Sequence, residues 1–227
     1  SVAARREAIA GEGAEVVVVD GTYEEAVAAA AREGAQPGTL EIADVGTSGP
    51  ARWVIDGYAT LFAEAAEQAD FDLVVVPVGV GSLAAAAARA GARWGVPVVG
   101  AEPVRAACLL ASLRAGAPTE VPTPGTTMAG LDCAEVSEAA WPELRDGIHG
   151  VVTVADAEAH AAMRELAAAG LAIGDSGAAP LAALWALTGD PAAADLRDAV
   201  GLRAQSRVLL IATEGPTDPV EYAKIVG

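Results

Sequence analysis

Two hydrophobic periods alternate along the chain. Short β-branched runs stand at Glu15–Asp20, Leu73–Val78, Val96–Ala101, Gly150–Val154 and Arg207–Thr213. Continuous apolar runs of this length suit strands covered on both faces, as in parallel sheets. Between them lie Ala-rich stretches of high helix propensity. They predict helices over Val2–Gly11, Thr22–Gly34, Arg52–Gln68, Leu83–Trp94, Val104–Ala115, Ala155–Ala169, Ser176–Leu187 and Pro219–Val226. Strand–helix–strand alternation predicts an α/β fold with right-handed crossovers.

Local signals sharpen the boundaries. Thr22 stands before an acidic first turn, Glu24 and Glu25, so it is expected to cap a helix. Gly34 and Gly170 are expected stops. Pro122, Pro124 and Gly125 close the stretch that begins at Val104 and open an irregular segment up to Asp132. The segment Gln36–Pro50 is rich in Gly, Pro, Thr and Ser and reads as a crossing between lobes. The expected boundary lies near residue 48, with one lobe over residues 1–48 and a larger one over residues 49–227.

Composition narrows the classes. A chain of 227 residues can bury a real core. It has no run of about 18 uninterrupted apolar residues, so no membrane span is expected. The first ten residues carry Arg5, Arg6 and Glu7 and no apolar core, so no signal peptide is expected; the expected location is cytoplasmic. A formal charge of −17 argues against nucleic acid, whose phosphates need a Lys/Arg surface. Cys108 and Cys133 make no disulfide framework and read as free thiols. Two histidines, His149 and His160, without HExxH or paired CxxC spacing, leave no zinc expectation.

The chemistry concentrates at VPVGVGSLAAA. Gly79-Val80-Gly81-Ser82-Leu83 follows a strand and precedes a helix. Glycine allows positive φ and close approach of a ligand to the amides. The helix start then offers unpaired N–H groups and a partial positive charge, a cradle for phosphate. A tight strand-to-helix turn favours glycine with or without a ligand. A dinucleotide fingerprint wants glycine where Ala84 stands, and a P-loop wants a Gly-Lys-Ser/Thr ending that is absent. Two further clusters, Gly174–Leu181 and Thr213–Pro219, place small hydroxyls, acids and glycines at strand or helix junctions, where open α/β sheets bind ligands.

The ordered set VPVGVGSLAAA, VVGAEP, AACLLASLRAG, PTPGTTMAGLDC, GDSGAAPLAAL and ATEGPTDP resembles the fold-type II enzymes that use pyridoxal 5'-phosphate. Within them it is most similar to the 2,3-diaminopropionate ammonia-lyases, relatives of the threonine and serine dehydratases. The resemblance runs over essentially the whole chain. It implies a tryptophan-synthase-β-like fold, a mostly parallel sheet with flanking helices, truncated at the N-terminus. It implies that Gly79, Val80, Gly81, Ser82 and Leu83 wrap the cofactor phosphate. It implies that Thr213 faces the pyridine nitrogen and that Glu102, in the Glu-Pro step, lines the cofactor side of the cleft. Asp44 matches the acid these lyases present to the substrate, to hold its β-ammonium or to take part in proton transfer. The implied reaction is α,β-elimination of 2,3-diaminopropionate to pyruvate and ammonia, in a homodimer.

The chain departs from the family pattern in one respect. The lysine that forms the Schiff base, and the Asn-rich turn after it, lie upstream of the segments found here. The one lysine present, Lys224, belongs to the C-terminal tail. The expectation is that the chain begins within the small lobe, as a fragment of an intact enzyme. Half of a split enzyme and a natural non-catalytic truncation also fit this departure. Simpler roles stand beside the functional ones: Asp44 as a turn residue, Glu102 as a plain strand end, Asp175 as a helix cap, the four tryptophans as packing. The alternatives kept open are a threonine/serine dehydratase or other β-eliminating lyase of the same fold, a non-catalytic phosphate-ligand module, and a nucleotide-binding Rossmann domain.

Overall fold

The computed structural model describes residues 3–21, 23–47 and 49–227. The expected cap Thr22, the helix start at Val2 and the lobe boundary at residue 48 lie outside the described residues. Helix α1 spans Ala3–Gly11, α2 Tyr23–Gly34 and α3 Pro50–Gln68. Strand β1, Leu73–Pro77, is followed by α4, Ser82–Trp94, then β2, Val98–Pro103, and α5, Cys108–Ala115. Next come α6, Trp141–Gly147, β3, Gly150–Val154, α7, Asp156–Ala168, and α8, Asp175–Gly189. The chain ends with α9, Ala194–Ala199, β4, Val208–Leu210, and α10, Pro219–Val226.

The four strands form one parallel sheet in the order β3-β2-β1-β4. Val75 of β1 stands between Val99 on one side and Leu210 on the other. Every residue of β1 and β2 is buried, which accounts for their unalternated sequence. The two-residue period of a strand still sorts them by face. Val74 and Val76 join Ile55 and Phe62 of α3 and the alanines of α4 in one core. Leu73 and Val75 join Met163 of α7 and Ala179 and Ala183 of α8 in the other. Helices therefore cover both faces, and the sheet diverges from β1 towards β2 on one side and β4 on the other.

The Ala-rich composition has a packing cause. Small residues let helices lie close to the sheet. A β-carbon on Gly91 of α4 would stand 2.5 Å from Val98 Cγ2 and 2.6 Å from the Val96 carbonyl. Gly170 ends α7 as expected, at φ +82, with its amide donating to the Ala167 carbonyl and that of Leu171 to Leu166.

Three expectations are corrected, and two helices are added. Residues 15–20 form no strand among the described residues, and Val17 and Val18 are exposed. A strand needs a neighbour to satisfy its backbone groups, and no described segment pairs with this one. The strand expected over 207–213 is shorter, because the backbone beyond Ile211 leaves the ladder and the Glu214 carbonyl accepts from Gly174 instead. Helix α5 starts at Cys108 rather than Val104, where the carboxylate of Glu102 takes its first free amides. Helices α6 and α9, seven and six residues long, went unpredicted because they are too short to show a helical period.

Gly91→Ala is expected to destabilise the protein. The gain of about 1 kcal/mol in helix propensity is outweighed because the new methyl meets the Val96 backbone, which cannot step aside as a flexible side chain would. Equilibrium urea unfolding measures it, and a variant more stable than wild type would contradict this packing.

Candidate functional site

The Gly-rich turn sits where β1 leaves the sheet, between diverging neighbours, the position at which open α/β sheets bind ligands. Gly81 takes φ +95 and stands at the N-cap of α4. A β-carbon there would lie 2.6 Å from Leu144 Cδ1, and one on Gly79 would lie 2.9 Å from the Gly130 carbonyl and 3.0 Å from Cys133 Sγ. Glycine is needed at both positions, at Gly81 by conformation as well as by space. With no side chain at its N-cap, α4 begins without a side-chain capping bond. Its first amides have no acceptor within the helix and carry the positive end of its dipole.

A cavity of about 170 Å³ opens in front of this turn. It is lined by Gly79, Val80, Gly81, Ser82 and Leu83, by Asp44 and Tyr58, by Gly130 and Leu131, by Ser176 and Gly177, and by Thr213 and Glu214. Seven of the eight residues expected from the sequence thus meet at one place, from segments as distant as positions 44 and 213. The two carboxylates that line the cavity belong to Asp44 and Glu214; among the described residues no Lys, Arg or His lines it.

Glu102 is the eighth, and it does not line the cavity. It is fully buried behind the turn, with Oε2 accepting from the Leu109 amide and Oε1 from the Leu110 amide, both at 2.9 Å. Burial raises its carboxyl to about 7, although the two amide bonds favour the charged form. Next to those amides, the Cys108 thiol points at the Gly79 carbonyl, 3.6 Å away. Burial pushes this thiol up to about 12, with the charge of Glu102 and the neighbouring Cys133 adding to it, so it stays protonated. Glu102 therefore bears on the glycine turn through α5 rather than by touching a ligand.

One cavity residue, Tyr58, lay outside every segment that the sequence singled out. Tyr58 sits on α3, far in sequence from every glycine cluster, and nothing in its sequence surroundings marks it. Its phenol is raised above the usual range by burial and then by the nearby charge of Asp44, so it stays neutral. Glu214 accepts from the Ser176 amide at 3.0 Å and from Arg5 at 2.6 Å, so both its oxygens are engaged. Ser176 in turn accepts from the Gly130 amide at 3.3 Å. Asp175 accepts from the Ser176 amide at 2.9 Å, a local turn at the start of α8, and its carboxyl is raised by burial and by Glu214. His149 accepts from the Val98 amide through Nδ1 and serves the sheet edge. Lys224 is exposed on α10, paired with Glu221 at 2.8 Å, and is not among the cavity's residues. Among the described residues no cluster of His, Cys, Asp and Glu could hold a metal ion, and no helix is long and apolar enough to cross a membrane.

Comparison with known proteins identifies the family and the fold. The sequence profile of the family described as "Pyridoxal-phosphate dependent enzyme" matches residues 1–214. The diaminopropionate ammonia-lyase of Escherichia coli (strain K12) is 31% identical over 244 residues, covering 98% of this chain and 60% of that protein. The biosynthetic L-threonine dehydratase of the same organism is 30% identical over 163 residues, 70% of this chain and 31% of that protein. The crystal structure of the Escherichia coli diaminopropionate ammonia lyase in complex with an aminoacrylate-PLP azomethine reaction intermediate superposes with a TM-score of 0.86. It is 28% identical, over 100% of this chain and 62% of that one. The chain thus spans about 60% of the length of the ammonia-lyases it matches.

The buried Glu102 makes stability depend on pH. Its carboxyl titrates near 7 in the folded protein and near 4.5 when unfolded. The folded state therefore holds more protons between those values. Its contribution is full below pH 4.5 and is lost as pH rises through 7, on the order of 3 kcal/mol in all. Glu102→Gln should flatten this part of the profile; parallel pH–stability curves for the two proteins would show that Glu102 does not titrate in this window.

Proposed function

The chain belongs to the pyridoxal-phosphate dependent enzymes, and from that premise we propose that it serves a cytoplasmic, homodimeric ammonia-lyase that eliminates ammonia from 2,3-diaminopropionate to give pyruvate. Pyridoxal 5'-phosphate is the cofactor of this family, and the residues present fit it. The capless start of α4 and the amides of Gly79–Leu83 suit a phosphate dianion, and glycine at 81 lets the turn take the φ of +95 that presents those amides, beneath Leu144. Thr213, exposed at the cavity rim after β4, offers a neutral hydroxyl for the ring nitrogen. When bound, the cofactor supplies the carbonyl that takes up the substrate amine and the ring that stores the electrons released from the α-carbon. Lys224 stands away from the cavity, so the amine that carries the cofactor is not among these residues.

The observation that carries the substrate class is the acidic, base-free lining of the cavity. Glu214 is occupied by Arg5 and Ser176, which leaves Asp44 as the carboxylate turned to a ligand. An anionic pocket whose described lining holds no cation fits a substrate bearing an amine beyond the α-amino group. Asp44 would hold that ammonium by charge. Amines leave as neutral molecules only after protonation of nitrogen, and in this reading Asp44 would keep or return that proton. Tyr58 adds a neutral oxygen beside it that repels no cation. The likeness to the threonine dehydratase favours a second reading, in which the leaving group is a β-hydroxyl.

Two measurements test this reading. Gly81→Asp, which forces a side chain to φ +95 and drives it against buried Leu144, should distort the turn and weaken pyridoxal phosphate binding by more than about tenfold in a titration. Unchanged binding would show that the turn is not the cradle. Pyruvate release by the full polypeptide loaded with the cofactor should favour 2,3-diaminopropionate over serine and threonine, and Asp44→Asn should erode that preference. Pyruvate from serine or threonine alone would give the function to the second reading.

A further inference from the structure

Asp44 lies on a segment that crosses to the glycine turn from a distant part of the chain, and two buried serines join the two. Ser82, 3% exposed, donates its hydroxyl to the Asp44 carbonyl at 3.0 Å. Its amide is the first of α4, in the phosphate cradle. Ser137, 4% exposed, donates its amide to the Val80 carbonyl at 2.8 Å and its hydroxyl to the Gly46 carbonyl at 3.4 Å. The Ala139 amide also donates to Gly46, at 2.8 Å, while the Ala139 carbonyl accepts from Arg52 at 2.7 Å.

A serine hydroxyl has one proton to give. Given to the Asp44 carbonyl, it is not available to a phosphate, which carries lone pairs and offers no proton in return. The obvious role of Ser82, a hydroxyl donor to phosphate, therefore conflicts with the geometry. We propose that Ser82 and Ser137 are positioning residues that fasten the Asp44 segment to the phosphate cradle, so that a phosphate monoester in the cradle holds Asp44 in its working place. One residue, Ser82, touches the anion through its amide and the acid segment through its hydroxyl. This inference rests on the proposed lyase reading for the meaning of Asp44, but not for the link itself.

The link is tested by amide hydrogen exchange on the full polypeptide, with and without pyridoxal phosphate. The Ala139 amide reports on Gly46. In the wild type, pyridoxal phosphate should slow its exchange. In Ser82→Ala the exchange should rise by roughly two- to tenfold, the worth of one hydrogen bond, and lose its response to the cofactor. Ser137→Ala should act in the same direction. With 2,3-diaminopropionate as substrate, Ser82→Ala should lower kcat by about ten- to a hundredfold with cofactor affinity nearly kept, and Ser82→Thr should restore most of it. A Ser82→Ala protein that binds the cofactor far more weakly, yet keeps the wild-type exchange response at Ala139, would assign the hydroxyl to the phosphate and overturn the proposal. The exchange result needs no turnover. An inactive wild type would therefore count against the lyase reading, while the exchange response would still decide the link.

Discussion

The sheet, the helices on its two faces and the cavity are placed relative to one buried strand. β1 pairs on both sides, is covered on both faces, and has no exposed residue over its five positions. A strand so enclosed must satisfy every backbone group in its ladders and has one way out, at its C-terminal end. There the chain must turn at once into α4, beneath Leu144 and beside the Gly130 carbonyl, with no space for a β-carbon. The glycines answer that constraint, and the uncapped helix start follows from them. A turn suited to phosphate is thus a by-product of how the central strand leaves the core.

The surroundings of the turn form two layers of different character. In front, the cavity gathers hydroxyls, amides and carboxylates that face a ligand. Behind, Glu102 lies beside the core thiol Cys108 and the partly buried Cys133, and none of the three lines the cavity. Glu102 accepts two amides of α5 instead of pairing with a cation, so the helix end rather than a counter-charge makes its burial tolerable. The cost remains visible in its raised carboxyl. Such an arrangement ties the start of α5 to the end of β2, and the Cys108 thiol at that start meets the Gly79 carbonyl.

The carboxylates show how equal residue types take different tasks. Glu214 is tied to Ser176 and Arg5 and holds the walls of the cavity together. Asp175 works on the local turn of α8. Asp44 is an exposed residue of the cavity lining, with its backbone carbonyl held by Ser82. Charge alone would not separate them. The hydrogen-bond partners do, because an oxygen already accepting a strong bond has little left for a substrate.

Local patterning was enough for the parallel α/β class, for strands β1 to β3 and for the glycine turn. Each is a consequence of apolar runs, helix propensity and backbone freedom, which act over a few residues. Asp44 and Thr213 came from motif resemblance, and the fold brings both to the cavity. The pattern misled at residues 15–20, where β-branched residues do not suffice without a pairing partner. It misled again at Glu102, where a motif position says nothing of which way the carboxylate turns. Packing across the sheet was needed to bring Tyr58 and Glu214 into the cavity, to set Glu102 behind it, and to commit the Ser82 hydroxyl to Asp44. These depend on segments that meet only once the chain is folded, and sequence spacing carries no record of such distances.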